Sequence, residues 1–114
     1  MPHFVIHCSE SIFNIKSPHE LMQQVYEEAD STGLFMKGDI KVRIQPFAYY
    51  KIGETQGDFI HIFGNIMEGR STDQKRELSK KIVSKLTLEF PDVPIISINI
   101  RDFEAATYVN KSMV

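Results

Sequence analysis

Pro2 is the residue with the least common chemistry in this chain, and it opens the apolar segment Pro2–Cys8. If Met1 is removed, Pro2 carries a free secondary amine, and an unperturbed terminal amino group titrates at about 7.7–8.0. Burial and neighbouring cations lower that pKa toward the range in which an amine acts as a general base. Because many chains begin with Met-Pro, this interpretation needs support from other residues.

Arg70 is the next candidate, since it lies between a predicted strand and the start of a predicted helix. The unpaired N–H groups and the positive dipole end of a helix favour an anion there. An arginine beside them adds a planar fork that can bind a carboxylate through two hydrogen bonds. The local sequence leaves a second interpretation open, in which Arg70 is a solvated loop residue.

Two further cations, Lys41 and Arg43, stand two positions apart in a predicted strand, so both side chains project from the same face of the sheet. Such a pair can bind a substrate with several carboxylates and can lower the pKa of a nearby amine. The alternative is an edge strand whose charges protect it from aggregation. The sequence is compatible with both interpretations.

The histidines and the cysteine do not form a clear metal-binding or nucleophilic site. His3 and His7 are about 13 Å apart in a strand that rises 3.3 Å per residue, which is too far to share one metal ion. Cys8 follows His7 directly and faces the opposite side of the strand, which disfavours a nucleophilic Cys–His pair. His61 alternates with apolar residues and fits a structural role in the sheet. No glycine-rich phosphate loop is present. We therefore predict neither a metal site nor a cofactor.

Two helices with clear start signals position these residues. The segment Ser17–Glu20 combines a capping box with proline at the first helical position, and Gly33 is the predicted stop. The segment Ser71–Gln74 is a second capping box, and Pro91 ends that helix. Each helix has one apolar stripe, formed by Leu21, Met22, Val25 and Ala29 in the first and by Leu78, Ile82, Val83 and Leu86 in the second.

Strands fill the intervals between the helices, which gives the order β-α-β(β)-β-α-β. We predict an α+β domain of duplicated β-α-β units, with a four-stranded mixed sheet and both helices on one face. The other face then needs cover that a chain of this length cannot supply, which predicts oligomerisation. The predicted strands are Pro2–Cys8, Ile40–Ile44, Phe59–Phe63 with an extension to Met67, and Ile95–Ile100, together with an aromatic strand Phe47–Ile52 after Pro46.

The bulk composition sets limits on the class of protein. A length of 114 residues predicts a single domain over residues 1–114. Thirteen basic and fifteen acidic residues give a net charge of −2, which offers no electrostatic case for nucleic acid. Cys8 is the single cysteine and suits a reducing compartment. The first apolar segment is too short for a signal peptide, and no segment suits a membrane span. We therefore expect a cytoplasmic protein.

Four short motifs occur in order along the chain: Pro2-His3-Phe4 with Cys8-Ser9, Thr32-Gly33-Leu34-Phe35, Ile40-Lys41-Val42-Arg43 and Gly69-Arg70-Ser71. With nearly the expected spacing, they resemble the 5-carboxymethyl-2-hydroxymuconate Δ-isomerase family over roughly residues 2–103. The segment Ile66–Lys75 also resembles 4-oxalocrotonate tautomerase. Both families belong to the tautomerase superfamily.

This resemblance implies a fold of paired β-α-β units, a trimeric or hexameric assembly and an N-terminal proline that acts as catalytic base. Pro2 would take the hydroxyl proton of a 2-hydroxymuconate-type substrate and return it to a carbon further along the conjugated chain. Arg70 would bind a substrate carboxylate, and Lys41 and Arg43 would bind substrate as well. The implied partners are a small unsaturated di- or tricarboxylate and two further copies of the chain, with no nucleic acid and no membrane.

This chain departs from the family pattern in three places. The family strand carries two arginines where this chain has Lys41 and Arg43, and lysine is a point charge that holds a carboxylate more loosely. The segment Gln45–Gly57 and the shorter C-terminal tail also differ, so Tyr108 and Asn110 are only weak candidates for a pocket or interface. Three alternatives stay open: a phenylpyruvate-type tautomerase, a dehalogenase-like member, and a non-catalytic trimeric binding module.

Overall fold

The chain folds as two β-α-β halves that share one sheet. The computed structural model describes residues 1–114. The first half consists of β1 (His3–Ser9), α1 (Pro18–Ser31) and β2 (Lys41–Phe47), and the second of β3 (Phe59–Met67), α2 (Thr72–Glu89) and β4 (Ile95–Phe103). Short 3-10 turns lie at Glu10–Asn14, Lys37–Asp39, Ala105–Thr107 and Lys111–Met113.

The strands form a mixed sheet in the order β2-β1-β3-β4. Each half contributes one parallel pair, β1 with β2 and β3 with β4, and the two halves join through the antiparallel pair of β1 and β3. This confirms the predicted α+β fold with a four-stranded mixed sheet.

Both helices pack on the same face of the sheet, where alternate strand residues are buried. Phe4, Ile6, Ile60 and Ile62 are completely buried there. Period-two alternation places every second strand side chain on this face. The helices contribute their predicted stripes, of which Leu21, Val25 and Ala29 from α1 and Leu78, Ile82 and Leu86 from α2 are buried. Neither helix combines the length and the apolar character that a membrane span requires.

The predicted helix signals are confirmed. The Ser17 hydroxyl accepts a hydrogen bond from the Glu20 backbone N–H at 3.2 Å. Ser71 and Gln74 form a complete capping box at the start of α2. Gly33 adopts φ 71° just beyond α1, a left-handed conformation in which a glycine commonly ends a helix.

The predicted strand Phe47–Ile52 is wrong. β2 instead continues through Pro46 and ends at Phe47, beside Cys8 and Ser9 of β1. The next residues form a loop that contains one isolated bridge, between Ile52 and Thr55. β2 is an edge strand, and a proline without an N–H is tolerated at a sheet edge. Pro46 therefore did not mark a boundary between two strands.

The face of the sheet opposite the helices, here called the open face, has two chemically different ends. The basic end is where β1 and β2 begin and β3 and β4 end. Lys41 and Arg43 lie on the open face there, and Arg70 lies beyond the end of β3 at the same edge of the sheet, against Phe35. The aromatic end is the opposite one, defined by the contacting rings of His7, Phe47, Phe59 and Phe63.

Candidate active site

The register of the sheet brings the start of β1 close to the predicted cations. His3 lies opposite Lys41 in the parallel pair and opposite Asn65 in the antiparallel pair. The start of β1, the start of β2 and the end of β3 therefore share one edge of the sheet. The Lys41 backbone N–H donates to the Pro2 carbonyl at 3.0 Å, and Pro2 is buried.

The terminal nitrogen of the chain lies in an environment that disfavours its charged form. Burial lowers the pKa of the Met1 amino group, and the positive charges of Lys41 and Arg70 lower it further. Asp39 acts in the opposite direction, because its negative charge raises the pKa. While Met1 is attached, the Pro2 nitrogen is a tertiary amide and cannot take a proton. The lowered pKa belongs to the Met1 amino group, which directly precedes the Pro2 nitrogen.

Arg70 is half-buried and held by the protein on three sides. Its guanidinium donates to the Leu34 carbonyl at 2.7 Å and to the Met67 carbonyl at 3.2 Å. The guanidinium also lies 5.0 Å from the centre of the Phe35 ring. An arginine has five N–H donors, so three remain for a ligand. This positioned side chain differs from the solvated loop arginine of the alternative interpretation.

Lys41 and Arg43 share the open face, as their spacing predicted, but their charged groups have different partners. The Lys41 ammonium donates to the Asp39 carbonyl at 3.0 Å, beside the terminal amine. The Arg43 guanidinium lies 3.2 Å from Nδ1 of His3. Both side chains are exposed, and neither forms an ion pair. Lys41 is thus associated with Pro2, and Arg43 with the neighbouring cavity.

A cavity of about 380 Å³ opens beside Arg43 at the basic end. The segment after β4 forms one wall, because the Ala105 N–H donates to Glu68 at 2.6 Å and the Tyr108 ring lies 5.3 Å from that of Phe103. The cavity is lined by His3, Arg43, Asn65, Phe103, Glu104, Thr107 and Tyr108.

His3 is the lining residue that sequence reasoning missed as part of the site. Burial lowers its pKa, and the positive charges of Arg43, Lys41 and the terminal amine lower it further. Arginine has only donors, so Nδ1 of His3 must accept from Arg43 and the imidazole proton must be on Nε2. The position of His3 next to Pro2 could have indicated from the sequence that it belongs to the site.

Cys8 contributes nothing to this site. It is fully buried at the far end of β1, and burial together with the charge of Asp58 raises its pKa to about 11. A thiol with such a pKa is a poor nucleophile at neutral pH. No group of three or more His, Cys, Asp or Glu residues is arranged to hold a metal ion.

The family model for 5-carboxymethyl-2-hydroxymuconate isomerase matches residues 2–112, nearly the whole chain. The chain belongs to this family. The match begins at Pro2 and includes Lys41, Arg43 and Arg70, the residues assembled at the basic end. The family resemblance read from the sequence is therefore confirmed.

Solved structures with the same fold include further isomerases. A 5-carboxymethyl-2-hydroxymuconate isomerase from Deinococcus radiodurans R1 is 23% identical, with a TM-score of 0.83 over 96% of this chain and 88% of its own. A 5-carboxymethyl-2-hydroxymuconate delta-isomerase is 17% identical, with a TM-score of 0.76 over 97% and 87%. A fused 4-OT described as a wild-type symmetric trimer is 10% identical, with a TM-score of 0.80 over 98% and 96%. No curated protein sequence matches this chain significantly.

Proposed function

We propose that this member of the isomerase family is an enol–keto isomerase that uses Pro2, freed by removal of Met1, as its general base. The observation that supports this most directly is the placement of the chain terminus, where burial lowers the pKa of the Met1 amino group, Asp39 raises it, and Lys41 and Arg70 lower it. A lowered pKa favours the unprotonated amine, which is the form that can accept a proton. We propose as substrate a small unsaturated carboxylate of the 5-carboxymethyl-2-hydroxymuconate type.

The proposed reaction moves one proton within the substrate. The Pro2 nitrogen takes the proton of the enol hydroxyl, the oxygen electrons form the ketone, and the carbon–carbon double bonds shift along the conjugated chain. The protonated Pro2 then delivers the same proton to a carbon at the far end of that system. The remaining N–H groups of Arg70 bind a substrate carboxylate and draw electron density toward it. Atoms and electrons balance without a co-reactant.

Replacement of the base tests this proposal. Pro2→Ala should lower kcat for the ketonisation of 2-hydroxymuconate by about 10²-fold or more, the usual contribution of a positioned base. Ultraviolet absorbance follows the reaction, and intact-mass measurement establishes whether Met1 is absent from each protein. Pro91→Ala is the matched control, because Pro91 is exposed beyond the end of α2. Full activity in Pro2→Ala, or an active protein that retains Met1, would contradict the proposal.

The same assay separates the neighbouring activities of the superfamily. An enolised monocarboxylate such as enol-phenylpyruvate lacks the second carboxylate that Arg43 and Lys41 would bind. Faster turnover of that compound than of 2-hydroxymuconate would favour a phenylpyruvate-type tautomerase and would remove Lys41 and Arg43 from the substrate-binding residues. Turnover of neither compound would favour a binding module.

We also propose that three copies of the chain associate through their open faces. A structural neighbour is described as a symmetric trimer, and the open face carries the aromatic rings that no helix covers. Sedimentation equilibrium tests this directly, since a monomeric mass at micromolar concentration would contradict it. We place the protein in the cytoplasm, because its one cysteine is unpaired.

A further inference from the structure

We propose that His3 is a positioning residue that orients Arg43 toward the cavity, where Arg43 binds the substrate carboxylate remote from Arg70. This inference rests on the proposed function, because it assigns a second carboxylate of the same substrate. Two observations carry it: the contact between His3 and Arg43, and the shared position of both residues on the wall of one cavity.

The contact fixes the directions of both side chains. An arginine is a long, flexible side chain, and Arg43 is exposed on an edge strand. Nδ1 of His3 accepts one of its N–H groups at 3.2 Å and so limits the rotation of the guanidinium. The same bond keeps the imidazole proton on Nε2. Arg43 is therefore the group that binds the anion, and His3 holds its guanidinium in place.

The other polar groups on the wall suit an anion as well. The Asn65 amide can donate a hydrogen bond. The Tyr108 hydroxyl accepts from Asn110 at 3.5 Å, which leaves its own proton available. Arg43 has no carboxylate partner within the chain, so its charge is open to a ligand.

Glu104 is the one carboxylate on the wall, and it sets a limit on the ligand. It repels an anion, so it should weaken the binding of any carboxylate in this cavity. Glu104→Gln should therefore lower KM for a dicarboxylate by a few-fold. An increase in KM would show that Glu104 helps to hold the ligand and would overturn the assignment of an anion subsite.

The main experiment uses pairs of substrates and pairs of variants. His3→Leu should raise KM for 2-hydroxymuconate about tenfold and leave KM for enol-phenylpyruvate unchanged, because only the dicarboxylate reaches the subsite. His3→Asn should restore most of the affinity, since its amide oxygen can accept from Arg43. The kcat of each variant should stay close to the wild-type value. His19→Asn, on the exposed face of α1, is the control.

A double-mutant cycle shows whether His3 acts through Arg43. Arg43→Gln should raise KM for the dicarboxylate more than His3→Leu does, and adding His3→Leu to it should have no further effect. If His3→Leu raised KM by the same factor in the wild type and in Arg43→Gln, the positioning role would be overturned. An equal rise in KM for 2-hydroxymuconate and enol-phenylpyruvate in His3→Leu would also overturn it, since such a result would indicate general damage to the fold.

A binding measurement keeps this inference separate from the isomerase reaction. Adipate is a saturated six-carbon dicarboxylate that cannot be isomerised, and hexanoate is its monocarboxylate counterpart. Calorimetry should show tighter binding of adipate than of hexanoate, with the difference lost in Arg43→Gln and reduced in His3→Leu. This result would support the subsite even if Pro2→Ala retained activity. Equal binding of the two acids would overturn the subsite even if Pro2 proved essential.

Discussion

The two ends of the sheet differ in how their polar groups are used. At the aromatic end, several polar side chains are paired within the chain: the Ser9 hydroxyl donates to Asp58 at 2.8 Å. Both ring nitrogens of His61 are paired, with Ser97 at 2.6 Å and Asn99 at 2.9 Å. At the basic end, Arg70 and Arg43 keep N–H donors that no group of the protein occupies. The first pattern is typical of a packing surface, and the second of a site that binds an anion.

The same physical effect gives the two ends opposite chemistry. Burial disfavours a charged group, so it raises the pKa of an acid and lowers that of a base. Beneath the aromatic end, on the helix-covered face, burial raises the pKa of Cys8 to about 11, with help from the negative Asp58, and the thiol stays neutral. At the basic end burial lowers the pKa of the Met1 amino group, Asp39 raises it, and Lys41 and Arg70 lower it. Burial thus makes the thiol less reactive, whereas it favours the unprotonated amine that the proposed base requires.

The largest expected effect of removing one charge is at Arg70. Arg70→Gln should lower kcat/KM by on the order of 100-fold, the equivalent of one or two hydrogen bonds to a charged group. Arg70 lowers the amine pKa, so its loss raises that pKa. The base is active only above its pKa, and the acid limb of the kcat/KM profile should move to higher pH. A pH–rate profile measures both effects.

Arg70→Lys separates charge from geometry in this prediction. A lysine keeps the positive charge near the amine but loses the planar fork. The acid limb should stay near its wild-type pH, while kcat/KM still falls. If Arg70→Gln leaves the acid limb unmoved, the charge of Arg70 does not reach the base, and the electrostatic contrast between the two ends is wrong.

A smaller effect is expected for the Cys8 thiol, which lies beneath the aromatic end on the helix-covered face. With a pKa of about 11 instead of the ordinary 9.0, Cys8 should be thiolate about 50-fold less often at pH 9, and its burial slows the reaction further. Alkylation by iodoacetamide, followed by mass spectrometry, should be slow in the native protein and fast in urea. Equal rates in the two conditions would show that the core beneath the aromatic end is open to solvent and would remove the contrast with Pro2.

Local features of the fold were predictable from the sequence, because their causes are local. The caps at Ser17 and Ser71 depend on residues three positions away, and strand alternation depends on neighbours two positions away. The interval after Pro46 was predicted wrongly. Local sequence shows a proline there, but it does not show that β2 lies at the edge of the sheet, where a proline is tolerated.

The candidate site was only partly predictable, since it depends on contacts between distant segments. Pro2, Lys41, Arg43 and Arg70 could be named individually from their types and positions. The cavity was missed because it forms only when β1 pairs with two strands and the segment around Tyr108 returns to the sheet. His3 was considered only as a metal ligand, and its role beside Arg43 follows from the parallel register of β1 and β2.

The smallest of the expected effects concerns assembly at the aromatic end. The Phe63 ring lies 5.0 Å from that of His7 and 4.5 Å from that of His61, on the open face. If this face is buried between copies, Phe63→Ser removes an apolar contribution of about 1.5–3 kcal/mol and should weaken each contact roughly 10- to 100-fold. Sedimentation equilibrium measures the change.

Leu88→Ser is the matched control for this last prediction, because Leu88 is 80% exposed on α2, which lies on the other side of the sheet. It should leave the assembly unchanged. At protein concentrations where Phe63→Ser still assembles, its kcat should equal the wild-type value, since the aromatic end supplies no group to the reaction. Loss of assembly in Leu88→Ser but not in Phe63→Ser would place the interface on the helices. The open face would then be uncovered in the assembly. Its aromatic rings would no longer be explained as a packing surface between copies of the chain.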